Sequence, residues 1–319
     1  GPEAATIFIA VASFATAAPL NPSYTKDEFK FFLRDLEAKI LIVLENDASE
    51  AITAAQELNI KVIKIRTQNL PGEITLTIDK QILEPSTARF NNTQDIGLVL
   101  HTSGTTSRPK IVPLSVDNIS VSARNIARTL KLTNSDCYLN IMPLFHIHGL
   151  IAGVLTTLES GGSMFCSYGF DALKFFNLLD NVKPTWFSAV PTMHQAILSR
   201  ATRNANIIEK TNLKFIRSSS ASLPVHVLEN LESVFNCPVI EAYGMTEASH
   251  QMASNPLPPL KRKAGTVGLA AGPEIGILSN DGKILSSNII GEIVIKGANV
   301  TKGYKNNFKA NEESFVNGW

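Results

Sequence analysis

Several features that mark particular classes of protein are scarce in this sequence. Cysteine occurs only 3 times in 319 residues, without the paired spacing of a disulfide scaffold or zinc site, which favours a reducing compartment. The formal net charge is +1, so there is no basic footprint for nucleic acid or an acidic membrane. The apolar run over residues 4–20 lacks a positively charged region before it, and we interpret it as a buried helix instead of a signal peptide or membrane span.

What is present is the composition of an ordinary globular protein. Apolar residues make up 44% of the chain and charged residues 18%, which is enough apolar material for a sizeable core. Short β-rich runs alternate with amphipathic stretches, a pattern typical of an α/β layered fold with a largely parallel sheet. The pattern predicts strands over 40–44, 61–65, 97–100, 186–190, 213–217 and 238–242, and helices over 49–58, 117–130 and 151–158. Asp117 is the predicted N-cap of the second of these helices.

The pattern changes towards the end of the chain. Beyond Gly265, short strands such as 291–296 and an Asp281-Gly282 turn predict a small antiparallel β-subdomain. We therefore predict a division into an α/β core over 1–264 and a β-rich subdomain over 265–319. The chain opens on Gly-Pro without Met and closes on apolar residues at 315–319, and these ends predict a fragment of a longer protein.

The strongest chemical feature is the loop that follows the predicted strand 97–100. It consists of Thr102, Ser103, Gly104, Thr105, Thr106, Ser107, Arg108, Pro109 and Lys110. Hydroxyl groups, a glycine and two cations in one loop suit a polyphosphate, whose oxygens accept from hydroxyl and N–H donors. The spacing is not that of a Walker A loop. A surface turn rich in serine and threonine is the alternative interpretation.

A second polar segment, EAYGMTE, leaves the predicted strand 238–242. Ligands of α/β sheets bind at the carboxyl ends of strands, so Tyr243 is a candidate for stacking on a purine. Thr246 is a candidate phosphate donor, and Glu247 is a candidate magnesium ligand. A Tyr-Gly turn before a helix would show the same pattern.

Two further segments join small or imidazole side chains to strand ends. RSSSA over 217–221 would let a flat ring or a small acid approach the backbone, although a plain connection between strand and helix fits equally well. PLFHIHG over 143–149 carries His146 and His148, which are either satisfied structural residues or donors to a ligand. A metal pair ranks third, since no nearby cysteine or carboxylate completes a ligand set.

Together these segments resemble the adenylate-forming, or acyl-activating, superfamily. The TSGTTSRPK, PLFHIHG, EAYGMTE and GEIVIKGANVTKGY segments stand in the order seen in that superfamily. Within it, AAPLNP at 17–22, FIRSSSASL at 215–223, MTEASHQM at 245–252 and NVTKGYKNN at 299–307 resemble the oxalyl-CoA synthetases (oxalate–CoA ligases) of plants and fungi. The resemblance extends over nearly the whole chain.

The resemblance implies the large N-terminal domain of these enzymes, with layered parallel sheets, and a C-terminal domain that is absent here. It implies an AMP-forming ligase that uses ATP, Mg²⁺ and coenzyme A, with Thr246, Glu247 and Lys110 in the catalytic machinery. By motif, the phosphates would be held by Thr102, Ser103, Gly104, Thr105, Thr106 and Lys110. The adenine would be framed by Ser219, Ser220, Ala221, Glu241, Ala242 and Tyr243. Thr246 would contact the α-phosphate, and Glu247 would bind magnesium.

For the acid, the resemblance points to oxalate bound by His146, Ser220 and His250. Oxalate consists of two carboxylates, so its pocket needs donors, and a neighbouring anion would favour protonated histidine. The alternative for His250 is an exposed residue near a helix start. The competing functions are a ligase for another small or aromatic acid and a catalytically incompetent nucleotide-binding fragment. The implied partners are small molecules, without nucleic acid or membrane, in a cytoplasmic or peroxisomal location; the sequence gives no oligomeric state.

Overall fold

The computed structural model describes residues 1–47, 49–70, 72–84, 86–102, 109–279 and 281–319. The strands are β1 (Ile40–Leu44), β2 (Lys61–Thr67), β3 (Ile74–Ile78), β4 (Gln81–Ile82), β5 (Ile96–His101), β6 (Ile111–Ser115), β7 (Cys137–Asn140), β8 (Ser163–Cys166), β9 (Trp186–Ala189), β10 (Phe215–Ser218), β11 (Val239–Met245), β12 (His250–Ser254), β13 (Leu269–Ala270), β14 (Glu274–Leu278) and β15 (Glu292–Lys296). The helices are α1 (Pro2–Phe14), α2 (Lys26–Asp35), α3 (Glu50–Glu57), α4 (Val116–Thr129), α5 (Thr156–Glu159), α6 (Phe175–Val182), α7 (Pro191–Ala201), α8 (Ala205–Ile208), α9 (Val225–Phe235) and α10 (Phe308–Ser314). A π-helix spans His148–Leu155, and 3₁₀ turns span Thr202–Asn204 and Thr246–Ala248.

The α/β fold with a mixed, mainly parallel sheet is confirmed. In the described part of the chain, the largest sheet has the strand order β13-β12-β11-β10-β9-β7-β8. The strands β8, β7, β9, β10 and β11 are parallel. β12 runs antiparallel to β11, and β13 pairs antiparallel with β12. Parallel strands end at the same edge of a sheet, and ligands of such sheets bind outside that edge. The segments that follow β9, β10 and β11 are therefore brought together.

The central strands are rich in apolar residues on both faces because helices cover both sides of the sheet. Trp186 and Phe215 pack into one core cluster, with the π-helix and α4. Their neighbours in sequence, Phe187 and Ile216, pack into a second cluster on the opposite face, with α7 and α9. Alternation along β10 places Arg217 on the same face as Phe215, beneath the π-helix.

The remaining strands form smaller sheets at the side. β1 to β4 form one sheet, β5 pairs with β6, and β14 pairs antiparallel with β15. The predicted turn at Asp281-Gly282 is present, with Gly282 N–H donating to the Ser279 carbonyl at 3.0 Å. β13 belongs to the large sheet through its pairing with β12. The division of the chain at residue 264 stays a prediction.

Two local predictions were wrong in detail. The N-cap of α4 is Ser115 and not Asp117, because Ser115 and Asn118 form a capping box in which each side chain accepts from the other's backbone N–H. The helix predicted over 151–158 is a π-helix that begins at His148 and continues as α5. An apolar run is compatible with either helical period, so the sequence pattern does not separate them.

The apolar N-terminal run forms α1 as far as Phe14, and its Ala5 and Phe8 are buried in the core as expected. Residues 15–20, which were predicted to belong to the same helix, are not helical. Within the described residues, no helix combines the length and the apolar character that crossing a bilayer requires.

Candidate active site

The ends of the predicted phosphate loop are held together by backbone pairing. Thr102 N–H donates to the Lys110 carbonyl at 3.0 Å, and Lys110 N–H donates to the Thr102 hydroxyl at 3.3 Å. The first of these bonds extends the β5–β6 ladder, in which His101 pairs with Ile111. Ser103, Gly104, Thr105 and Thr106, which were predicted to contact phosphate, lie outside the described residues.

A chain of three side chains connects this loop to the EAYGMTE segment. The Lys110 ammonium lies 4.6 Å from the centre of the Tyr304 ring, which is a cation–π distance. The Tyr304 hydroxyl donates to Glu247 Oε1 at 2.7 Å. Burial and the neighbouring carboxylate raise the pKa of Tyr304, so it stays a donor. Backbone bonds fix the same link, because Thr301 N–H donates to the Glu247 carbonyl at 2.8 Å.

Glu247 has the chemistry expected of a magnesium ligand. Mg²⁺ on nucleotides is commonly held by one or two carboxylates together with phosphate oxygens. Glu247 is half-buried, and its Oε1 accepts from a neutral hydroxyl. Among the described residues it forms no ion pair with a cation. Within the described ranges, no group of three or more His, Cys, Asp or Glu side chains could hold a metal by itself. The donor set therefore fits a metal that arrives with the nucleotide.

The residues predicted to frame the adenine lie on adjacent strand ends. Ser219 follows β10, and its hydroxyl donates to the carbonyl of Ala242 on β11 at 2.9 Å. Glu241 is buried, and its Oε2 accepts from Gly265 N–H at 3.1 Å, so one carboxylate oxygen fixes a neighbouring loop. Burial raises the pKa of Glu241. Ala221 is exposed at the same edge of the sheet.

A bulge in β11 leads the chain towards His250, one of the predicted acid ligands. The register between β11 and β12 shifts at Tyr243/Gly244, and Tyr243 packs against the cluster of Met252 and Ile295. A Cβ atom on Gly244 would lie 1.5 Å from the carbonyl oxygen of His250. Only glycine permits this close approach of β12, which begins at His250.

Thr246 and its neighbours turn the chain between these strands. Thr246 begins the 3₁₀ turn and is half-buried. Its carbonyl accepts from Ser249 N–H at 3.0 Å. Ser249 and His250 adopt φ values of 49° and 94°, and Ser220 adopts 72°. Such left-handed conformations are costly for residues other than glycine and cluster at functional sites.

The imidazole in contact with the other predicted acid ligands is that of His148. Its Nδ1 lies 3.0 Å from the Ser220 hydroxyl, and its ring stacks on His250 with centroids 4.9 Å apart. His250 is 2% exposed and lies on a strand, so the alternative of an exposed residue near a helix start is wrong. His146 is exposed and lies beside the ring of Phe145. Its contact with the acid stays a prediction.

Behind these side chains lies a buried polar cluster that the sequence did not predict. Arg217 is 0% exposed; its Nη1 lies 3.3 Å from His148 Nε2 and 3.4 Å from the Ser188 hydroxyl. Its Nη2 donates to Gln251 Oε1 at 3.4 Å. Ser188 also lies 2.6 Å from His148 Nε2. An arginine beside the apolar residues of a core strand, as in FIRS, is the sequence signal that could have revealed this cluster.

The imidazoles of the site are neutral in the free protein. Burial lowers the pKa of His148 well below the ordinary value, and the nearby His250 and Arg217 lower it further. Burial and then Arg217 lower the pKa of His250 in the same direction. Burial also lowers the pKa of Arg217 to about 10, so the guanidinium remains charged at neutral pH. Arg217 is therefore a permanent positive charge beside the predicted acid ligands Ser220 and His250.

Comparison with known proteins agrees with this geometry. The sequence model of the family described as AMP-binding enzyme matches residues 1–305. The chain belongs to the AMP-binding enzyme family. Two relatives carry the name oxalate–CoA ligase: that of Arabidopsis thaliana is 43% identical over 99% of this chain, and that of Saccharomyces cerevisiae is 40% identical over 94% of it. The family and the expected resemblance are thus confirmed.

The fold of the chain is also that of solved members of this family. The ATP-bound MatB of Rhodopseudomonas palustris matches with a TM-score of 0.85 and 27% identity, over 99% of this chain and 62% of that one. The chain spans 63% of the Arabidopsis thaliana relative and 59% of the yeast relative.

Proposed function

We propose that the protein activates oxalate with ATP and transfers it to coenzyme A, as an oxalate–CoA ligase. In the first step an oxalate oxygen attacks the α-phosphorus of ATP, and pyrophosphate leaves. In the second step the sulfur of coenzyme A attacks the carbonyl carbon of the oxalyl-adenylate. AMP leaves, and the thiol proton passes to solvent or to a base. Mg²⁺ supplies charge neutralisation for the phosphates when it is bound.

The observation that carries this proposal is the polarity of the acid end. The contacting side chains Ser220, His148 and His250 offer a hydroxyl and imidazole nitrogens, and Arg217 lies directly behind them. Fatty or aromatic acids are bound mainly by apolar and aromatic walls. Oxalate presents four oxygens and no apolar surface, so it needs donors at both ends. The two relatives named oxalate–CoA ligase support the same acid.

At the nucleotide end, the described residues would act on charge. Lys110 would neutralise phosphate oxygens, since its ammonium is placed by the Tyr304 ring at the end of the loop. Glu247 would hold magnesium, and Thr246, the next residue towards β11, would donate to the α-phosphate. Donors fixed in advance stabilise the charge that develops on the phosphate without reorganising in the transition state.

At the acid end, Ser220 is the contact that both motif and geometry support. It is exposed at the strand end and also within reach of His148. His250 offers a buried Nε2 that has no hydrogen-bond partner among the described residues. A buried polar atom without a partner is costly unless a ligand satisfies it. His146 would approach from the exposed side.

The test is pyrophosphate release by the full-length protein that contains this chain, in the presence of ATP, Mg²⁺ and coenzyme A. The acids would be oxalate, malonate, acetate, 4-coumarate and a medium-chain fatty acid. We expect release with oxalate and the appearance of its thioester, with the other acids at least tenfold slower. Pyrophosphate release with a bulky acid and none with oxalate would overturn the assignment of oxalate as the substrate. If none of the acids causes pyrophosphate release, the protein would be a nucleotide-binding protein without ligase activity. The variants His146→Ala and His250→Ala would then have no activity to alter.

A further inference from the structure

Arg217 is a buried cation with no counterion among the described residues. Among the residues that the structure describes, no carboxylate lies within ion-pairing distance of its guanidinium, and its Nε has no hydrogen-bond partner. Its three contacts, to His148, Ser188 and Gln251, are neutral and long, at 3.3–3.4 Å. A buried charge is normally paired, because leaving water costs it most of its solvation. An anion that reaches this cluster would therefore complete it.

The guanidinium determines which nitrogen of His148 carries the proton. Arginine only donates hydrogen bonds, so the nitrogen that faces it must be an acceptor. Nη1 faces Nε2 of His148, and the imidazole is neutral because burial lowers its pKa. With Nε2 as the acceptor of this bond, the single proton of His148 is on Nδ1. The Ser188 hydroxyl, 2.6 Å from Nε2, then also donates to this nitrogen.

This tautomer fixes the direction of the next hydrogen bond. Nδ1–H of His148 donates to the Ser220 oxygen at 3.0 Å. Because Ser220 accepts this bond, its own proton must point elsewhere, towards the exposed edge of the sheet. The backbone of Ser220 is held at φ 72°, a conformation that favours glycine, which keeps the hydroxyl beside His148. A polarised chain thus runs from the buried cation to the surface of the site.

We propose that Arg217 selects acids that bear a second carboxylate, by forcing His148 and then Ser220 to present a proton to that carboxylate. Arg217 is a positioning residue here, since it acts through His148, and its positive charge strengthens each bond of the chain. The inference rests on the proposed function for the identity of the acid. It goes further in assigning the selectivity to a permanent cation and not to protonated histidine.

The two explanations of selectivity differ in pH dependence. In the part of the chain that the structure describes, the titratable groups that face Arg217 are His148 from the π-helix, His250 from β12, His194 from α7 and Tyr138 from β7. Burial lowers the pKa of all three histidines and raises that of Tyr138, so all four groups are neutral at pH 7. Selection by Arg217 is therefore flat from pH 6 to 8.5. Selection by imidazolium would instead weaken as pH rises through this range.

The test compares oxalate with oxamate, in which an uncharged amide replaces the second carboxylate. In the full-length protein, Arg217→Met should lower kcat/KM for oxalate about 100-fold, the scale of one lost charge-assisted interaction. The value for oxamate should fall less than about fivefold, so the ratio of the two collapses. Arg217→Lys, which keeps the charge, should retain most of the ratio. A parallel fall for both acids in Arg217→Met would show a structural role only.

Controls separate selectivity from folding. Arg203→Met makes the same chemical change at an exposed position of the 3₁₀ turn and should leave both acids unchanged. Ser220→Ala, at an exposed position, should reproduce the collapse of the oxalate/oxamate ratio even where Arg217→Met does not fold. An unchanged ratio in Ser220→Ala would overturn the proposal.

A spectroscopic measurement tests the hydrogen-bond chain from Arg217 through His148 to Ser220 without enzyme turnover. In protein labelled with ¹⁵N-histidine, the signals of His148, assigned through loss in His148→Gln, should be those of the Nδ1–H tautomer. Finding the commoner Nε2–H tautomer would overturn the inference even if oxalate is the substrate. Conversely, the Nδ1–H tautomer in a protein that activates no acid would overturn the proposed function and leave the assigned chain intact.

Discussion

Three buried histidines should make the folded protein sensitive to mild acid. His148, His194 and His250 are at most 2% exposed. Burial lowers the pKa of each, that of His194 to about 4. In the unfolded chain a histidine takes up its proton near pH 6.5. Below that pH the unfolded chain binds more protons than the folded chain, so the free energy of unfolding decreases as the pH is lowered.

The size of the effect follows from the number of protons. Each proton bound only by the unfolded chain contributes about 1.4 kcal/mol per pH unit. For His194, titration from 6.5 down to about 4 amounts to a loss of about 3 kcal/mol. With all three groups the slope approaches about 4 kcal/mol per pH unit. The stability is complete above pH 7 and is lost progressively from pH 6.5 downwards.

Urea unfolding at pH 7.5, 6.5, 5.5 and 5.0 would measure this slope, followed by the emission of the fully buried Trp186. His194→Gln removes one of the three groups and should reduce the slope between pH 6 and 5 by about 1.4 kcal/mol per pH unit. His226→Gln changes an exposed histidine of α9 and should leave the slope unaltered. A flat stability between pH 7 and 5 would refute the assignment of neutral buried imidazoles.

Two further substitutions test the geometry of the site. Tyr304→Phe removes the hydroxyl that orients Glu247, a bond to a charged group worth about 1.5–3 kcal/mol. We expect pyrophosphate exchange to slow about 10- to 100-fold, with a higher Mg²⁺ requirement. The control Tyr168→Phe, at an 81% exposed position, should match wild type. Equal rates for both variants would contradict the role of Tyr304 in orienting Glu247. Gly244→Ala places a Cβ 1.5 Å from the His250 carbonyl oxygen. It should lower the free energy of unfolding in urea by about 3 kcal/mol or more, and a negligible loss would contradict the close approach.

The fold was predictable where short runs of apolar residues mark the strands. The runs ILIVL and GLVL form β1 and β5, as the sequence predicts. GLVL is largely buried, whereas Ile40 and Leu44 at the ends of β1 are 49% and 42% exposed. Local competition was harder to judge. Ser115 and Asp117 are both good caps, and the reciprocal bond with Asn118 selects Ser115 only once β6 has ended there.

The site was predictable as far as its loops are concerned. Parallel strands bring their carboxyl ends together, so the segments after β10 and β11 meet as the sequence indicated. Which imidazole turns inward was not predictable, because His146 and His148 are separated by one residue in a stretch whose helical period is unusual. In the π-helix, His148 is its first, fully covered residue, whereas His146 precedes it and is exposed.

Under the proposed function, Arg217 supplies the positive charge that the neutral histidines lack. A buried ion without a partner destabilises a fold, and an apolar residue of similar volume would often be more favourable for stability alone. Arg217 lies on the central strand β10, where Phe215 and Ile216 show that apolar packing is readily achieved. Retaining a guanidinium there makes physical sense if an anion completes the cluster during the reaction. A protonated histidine would serve less well, because burial of His148 and His250 favours their neutral forms before any acid arrives.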